Sequence, residues 1–186
     1  RPADPNEVIA AWQQAIDSVD HPTVLVLTRQ KLPVLSRTSK LADAGVARGG
    51  YVVSPQKGMR PSGILIASGS EVSLAIKAQE RLFKLGEDVS VVSMPSMERF
   101  DEQPQNYKDK VLPPSVRRRT AIEMGSTRGW ERYVGLDGTI VGLDEFGASG
   151  AMDDVLANAG FTVENVVLTF QKTNVTGENH LSAIRL

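Results

Sequence analysis

From about residue 49 onward, short apolar runs alternate with amphipathic helical stretches. That alternation most narrows what the chain can fold into. Tyr51-Val52-Val53, Gly63 to Ala67, Val89 to Ser93, Arg117 to Glu123 and Thr139-Ile140-Val141 read as strands. A helix is predicted from about Glu71 to Leu85, with Val72, Ala75, Ile76, Leu82 and Phe83 on one side and Gly86 as a left-handed stop. Asp101 to Lys110 suits a short helix and Trp130 to Val134 part of another, while Met152 to Ala159 and Val163 to Lys172 read as closing helices. This order implies an α/β sheet flanked by helices and joined by right-handed crossovers.

The first 50 residues read differently. Asp4 is placed to cap a helix, Pro5 suits its first position, and Glu7 can reach back. Val8, Trp12, Ile16 and Val19, with Ile9 beside them, form an apolar stripe at helical spacing. The helix should stop near Asp20, because Pro22 disfavours helical geometry at His21. Thr23 to Thr28 reads as a strand buried on both faces, as in a parallel sheet. Gln30 to Gly50 has no sustained period and reads as a linker crossing the surface.

A length of 186 residues fits one domain, or one domain plus a piece of another. There are no cysteines and two histidines, His21 and His180, so thiol nucleophiles, disulfides and thiolate-held metal centres are excluded. Ser–His–Asp chemistry is nearly excluded. With 21 Lys plus Arg against 22 Asp plus Glu, the chain lacks the cation surplus of a sequence-independent nucleic-acid binder. No apolar run reaches the roughly 20 residues that span a bilayer. Arg1 to Asn6 lacks the apolar segment of a secretory signal, so neither nucleic acid nor membrane is an expected partner, and cytoplasm is the expected location. The start without methionine, directly into a capped helix, suggests a piece of a longer protein.

Few residues stand out as chemistry. Arg29 follows the predicted strand at its carboxyl end, where open α/β sheets bind ligands, and a guanidinium there suits bidentate grip of phosphate or carboxylate. The competing role is to fix a loop. Ser68-Gly69-Ser70-Glu71, between a strand and a helix, offers amides to an anion, but Ser68 and Glu71 have capping-box spacing, which favours structural capping. Arg117-Arg118-Arg119 reads as a solvated strand start rather than a nucleic-acid patch. Phe146 to Gly150 reads as a flexible loop, Glu123 and Asp144 as single acids near strand ends, and Trp12, Trp130 and Phe83 as core or interface anchors. Both histidines read as surface residues.

The motifs, taken in order, resemble the C-terminal part of the transketolase family. The resemblance begins with Arg1-Pro2-Ala3-Asp4 and Asn6-Glu7-Val8, and includes Thr28-Arg29-Gln30-Lys31-Leu32-Pro33, close to the family's Ser-Arg-Gln-x-Leu-Pro. It continues through Gly49-Gly50-Tyr51-Val52, Ala67 to Val72, Val92-Ser93-Met94-Pro95, Phe100-Asp101 with Gln103 and Tyr107, and Val111-Leu112-Pro113. Phe146 to Gly150 and Gly160-Phe161-Thr162 close it, with a departure at Ala151-Met152-Asp153-Asp154, where the family usually has Pro-Ala.

The resemblance implies a three-layer α/β/α fold with a five-stranded, mostly parallel, mixed sheet. It implies residues 1–30 as the last helix and strand of a pyrimidine-binding domain, 31–48 as a linker, and 49–186 as the C-terminal domain. It also implies a parent enzyme, a homodimer, that moves a two-carbon ketol unit between sugar phosphates with thiamine diphosphate and magnesium or calcium. Arg29 aligns with the family arginine that contacts the substrate phosphate, a positioning role. The family's catalytic, cofactor and metal residues lie before Arg1, so none is assigned here and the chain alone is expected to be non-catalytic, with no cofactor bound. Its partners would be sugar phosphates, through the parent, and the rest of the transketolase chain. Two alternatives stay open: a related thiamine-diphosphate enzyme of the dihydroxyacetone synthase kind, and a stand-alone α/β module that binds a small anion at Ser68 to Glu71.

Overall fold

Five strands form one mixed sheet in a computed structural model that describes residues 1–173. They are β1 (Tyr51–Ser54), β2 (Gly63–Ala67), β3 (Val89–Ser93), β4 (Arg119–Ile122) and β5 (Thr139–Val141), in the spatial order β1-β3-β2-β4-β5. The pairs β2–β3, β2–β4 and β4–β5 are parallel, and β1 lies antiparallel on β3 at the edge. The fold class read from the sequence is the one observed. Every residue of β2 and β3 is buried, as central strands with helices on both faces require.

Alternation along the strands divides the core in two. Leu65, Ala67, Val89, Val91 and Ile122 pack with α3 (Glu71–Lys84) and α8 (Val163–Gln171), which contribute Val72, Leu82, Val166 and Phe170. Ile64, Ile66, Val92 and Ala121 face the other way, against α4 (Met97–Asp101), α5 (Gln105–Val111) and α6 (Glu131–Val134), with Phe100, Val111, Trp130 and Tyr133. α3 ends as expected: Gly86 takes φ +87°, and the amides of Gly86 and Glu87 return to Phe83 and Leu82. α7 (Met152–Asn158) precedes α8, whose cap is Thr162. The expectation for His180 lies outside the described residues.

The first 48 residues correct the reading in three places. α1 (Pro5–Asp17) forms and is capped by Asp4, but its buried residues are Glu7, Ala10 and Ala11. The apolar stripe points outward, with Ile9 68%, Trp12 54%, Ile16 71% and Val19 87% exposed. Thr23 to Thr28 is extended but unpaired, and Val24, Val26 and Leu27 are exposed; a strand is defined by its neighbours, and no described strand lies beside it. The expected linker contains α2 (Thr38–Ala47), packed on α1 through Ala10, Ala11, Ala42 and Val46. Small residues let these helices approach, so the apolar period is too weak to show in sequence. Asp4 joins them: one carboxylate oxygen accepts from Glu7 N at 3.0 Å, the other from Leu35 N at 2.9 Å and Thr38 Oγ1 at 2.5 Å.

Candidate functional site

Parallel strands aim their carboxyl ends at one edge of the sheet. Chain order places β3 on one side of β2 and β4 on the other, so the crevice between β2 and β4 is the point where the winding reverses. Such a crevice is where open α/β sheets take their ligands. Ser68 and Glu71 follow β2, and Glu123 follows β4.

The crevice is closed by side chains. Ser68 Oγ donates to Glu123 Oε2 at 2.6 Å, Met124 N donates to Glu71 Oε2 at 3.1 Å, and Ser70 Oγ donates to Glu71 Oε1. Arg1 lies across both acids: Nη2 is 2.8 Å from Glu71 Oε2, and Nη1 pairs with Glu123 Oε1. The capping box expected from Ser68 and Glu71 is therefore not formed. Ser70 occupies the cap position of α3 without a side-chain cap bond, because Ser68 and Glu71 are turned to other partners. Glu123, read from sequence as an isolated acid, has its partner at the far end of the chain.

A second buried acid lies where α1 meets the sheet. Glu7 is fully buried and accepts from Ala3 N, Tyr51 Oη and Ser93 Oγ, each at 2.7 Å. Burial pushes its carboxyl above the ordinary value; the Ser93, Tyr51 and Ala3 donors oppose this, and the Asp4 charge adds to it. Tyr51 is in turn pushed upward by burial and by the Glu7 charge. Sequence reasoning placed Glu7 only in a cap. No local spacing marks its partners on β1 and β3.

Arg29 is exposed at the end of the extended segment, and no ion pair joins it to a described residue. The residues after it, Gln30 to Pro33, line an open cleft of about 440 Å³ together with Glu71, Met124, Asp153 and Phe161. Arg29 therefore stands beside the carboxyl edge without joining the Ser68–Glu71–Glu123 cluster. Asp144, after β5, accepts from Thr127 N at 2.8 Å, Thr127 Oγ1 at 2.7 Å and Ser126 Oγ at 3.1 Å. The Thr127 bonds hold its carboxyl below the ordinary range. Phe146 in the following loop is exposed, as is His21.

Of the arginine run only Arg117 is exposed, so the solvated strand start expected there holds for that residue alone. Arg117 pairs with Asp137 at 2.5 Å, and Arg118 pairs with Glu87 at 2.9 Å and lies over the Phe170 ring. Arg119 donates to the carbonyls of Val116, Tyr133, Leu112 and Pro113 at 2.7 to 3.1 Å. Trp130 is a core residue, whereas Trp12 and Phe83 are exposed, Phe83 under the Lys57 ammonium. Among the described residues no group of three or more His, Cys, Asp or Glu is placed to hold a metal ion, and no helix is long and apolar enough to cross a membrane.

A doubly wound five-stranded sheet with one antiparallel edge strand, preceded by a helical arm pinned into its switch-point crevice, defines the class. A family model described as the transketolase-like TK C-terminal domain matches residues 49–162, and the chain belongs to that family. Transketolases of Geobacillus stearothermophilus and Bacillus subtilis are each 57% identical over 167 residues, covering 90% of this chain and 25% of theirs. A crystal structure of transketolase from Pichia stipitis in complex with sedoheptulose-7-phosphate superposes with a TM-score of 0.85 at 40% identity, covering 93% of this chain and 24% of that one. The chain thus spans about a quarter of the length of the relatives it matches.

Proposed function

We propose that this chain is the C-terminal part of a transketolase, and that the whole protein transfers a two-carbon ketol unit between sugar phosphates. The observation that carries the reading is the uncovered apolar face of residues 9–27. Ile9, Trp12 and Ile16 on α1 and Val24 and Val26 on the extended segment after it are exposed, while Ala10, Ala11 and Leu25 between them pack inward. An apolar face of this kind suits burial against further protein. Residues 1–30 are then the end of a pyrimidine-binding domain whose remaining strands cover Thr23 to Thr28. The 49–186 region is the C-terminal domain, and 31–48 joins the two through a packed helix.

Thiamine diphosphate with magnesium or calcium supplies the electron sink when bound in such an enzyme. No residue of this chain is assigned to hold that group in this reading. The cofactor's ligands belong to the other three quarters of the protein, a cytoplasmic homodimer in this reading. What this chain contributes to the reaction is Arg29. Its exposed guanidinium, free of a carboxylate partner among the described residues, grips the substrate phosphate and orients the sugar without moving a proton.

The test uses the full-length enzyme. Arg29→Ala is expected to raise KM for phosphorylated sugars at least tenfold more than for unphosphorylated ones, the effect of losing roughly 1.4 kcal/mol of phosphate binding. An equal effect on both substrate classes would reject the phosphate role. The 186-residue chain alone is expected to show no ketol transfer and no magnesium-dependent binding of thiamine diphosphate in calorimetry.

A further inference from the structure

We propose that the crevice between β2 and β4 is a guanidinium-binding socket, and that its resident ligand is the chain's own Arg1. The inference rests on the contacts of the crevice and not on the enzymatic reading above. Glu71, opening α3 after β2, and Glu123, just after β4, are 2% and 8% exposed and face the same point from beyond the ends of two neighbouring strands. Both meet the Arg1 guanidinium, and Ser68 Oγ accepts from Nη1 at 3.2 Å. A planar fork with several donors matches two acids and a hydroxyl set around it; an ammonium offers a point charge to the same groups.

The backbone is shaped to the same ligand. Gly69 has φ +55°, and a Cβ there would stand 3.1 Å from Arg1 Nη2 and 3.3 Å from Cζ and Nε. The guanidinium therefore packs on a glycine that leaves it room. Gly69 N also donates to Arg1 O at 3.0 Å, and Arg1 N donates to Pro95 O at 2.8 Å, so main chain and side chain are held together. The motif Ser68-Gly69-Ser70-Glu71 has the appearance of an anion turn in sequence, yet its side chains make it a cation site. Its consequence is mechanical: the arm that carries Arg29 is registered on the C-terminal domain through the position a free ligand would otherwise take.

The experiment is chemical rescue in the 186-residue chain, with ethylguanidinium as probe. Arg1→Ala is expected to lower Tm by about 10 °C, because two nearly buried carboxylates lose their shared cation. Ethylguanidinium at millimolar concentrations, far below denaturing ones, should restore part of that Tm saturably. Ethylammonium should restore less, and the wild-type chain should respond to neither. In a Glu71→Gln/Glu123→Gln background the rescue should weaken at least tenfold, and Arg1→Ala should cause a smaller loss. Equal rescue by the two cations, no saturable rescue, or an unchanged loss in the double-Gln background would overturn the socket. If Arg1→Ala does not fold, nitrogen-15 arginine spectra of the unmodified chain decide. Slowed rotation and protected Nη protons on the Arg1 signal support the socket, and a freely averaging signal overturns it.

Discussion

Glu7→Gln should uncouple the junction between α1 and the sheet from pH, and the direction follows from what surrounds the carboxyl. Glu7 is fully buried, and burial is the largest influence on it, raising its carboxyl above the ordinary value of 4.5. In the pH range above 4.5 the folded chain therefore holds a proton that the unfolded chain has released. Stability from this group is complete below about pH 4.5 and is lost as pH rises through the folded value, with a limiting slope of about 1.4 kcal/mol per pH unit. Glutamine is neutral throughout and its one acceptor oxygen can serve the Tyr51 and Ser93 hydroxyls, while its NH2 group then faces Ala3 N–H, so Glu7→Gln should lie about 1–3 kcal/mol below wild type near pH 4.5. Above that pH the variant should gain steadily on wild type. Urea unfolding of both chains from pH 4.5 to 8 reads the difference directly. Parallel curves, or a wild type that gains on the variant as pH rises, would refute the reasoning; the second result would mean that the three donors outweigh burial.

Phe170→Ala should destabilise the chain by about 3–5 kcal/mol, read from the urea midpoint, since the ring is fully buried between α8 and the sheet and fills the space a Cβ on Gly63 would enter. Arg119→Met should cost about 3 kcal/mol although it keeps the length of the side chain, because four carbonyls lose their shared donor; a loss below about 1 kcal/mol would show that water replaces the guanidinium. Trp12→Lys with Ile16→Lys should leave the unfolding free energy of this chain within about 1 kcal/mol, read from urea unfolding, because both side chains face outward.

Much of the C-terminal domain was legible because its local signals agree with its tertiary role. The periodicity of α3, its Gly86 stop, the apolar run of β2 and the valine-rich run of β3 each have one reading, and burial enforces it. The first 48 residues misled for the opposite reason. The α1 stripe and the Thr23 to Thr28 run carry the pattern of buried elements, yet what would bury them is not among the described residues. α2 went unread because its buried face, Thr38, Ala42, Gly45 and Val46, is too small and mixed to stand out as an apolar stripe, and Gly45 is a poor helix former.

The candidate site was legible in its parts and not in its assembly. Ser68, Gly69, Glu71, Glu123 and Arg29 were all marked by position at strand ends, since strand and helix periods locate those ends. Which of them meet was settled by the order of the strands, which brings the ends of β2 and β4 side by side, and by the return of the arm that lays Arg1 between them. The sequence by itself determined the α/β class, the order of the five strands along the chain and the family. Only the tertiary structure decided that a turn resembling an anion site holds a cation, that an expected cap residue is a buried acid on Tyr51 and Ser93, and that a triple arginine is spent on three separate sets of partners. The physical reason is range: periodicity and capping act over a few residues, whereas the sign and partners of a buried charge are set by groups that only the fold brings within hydrogen-bond distance.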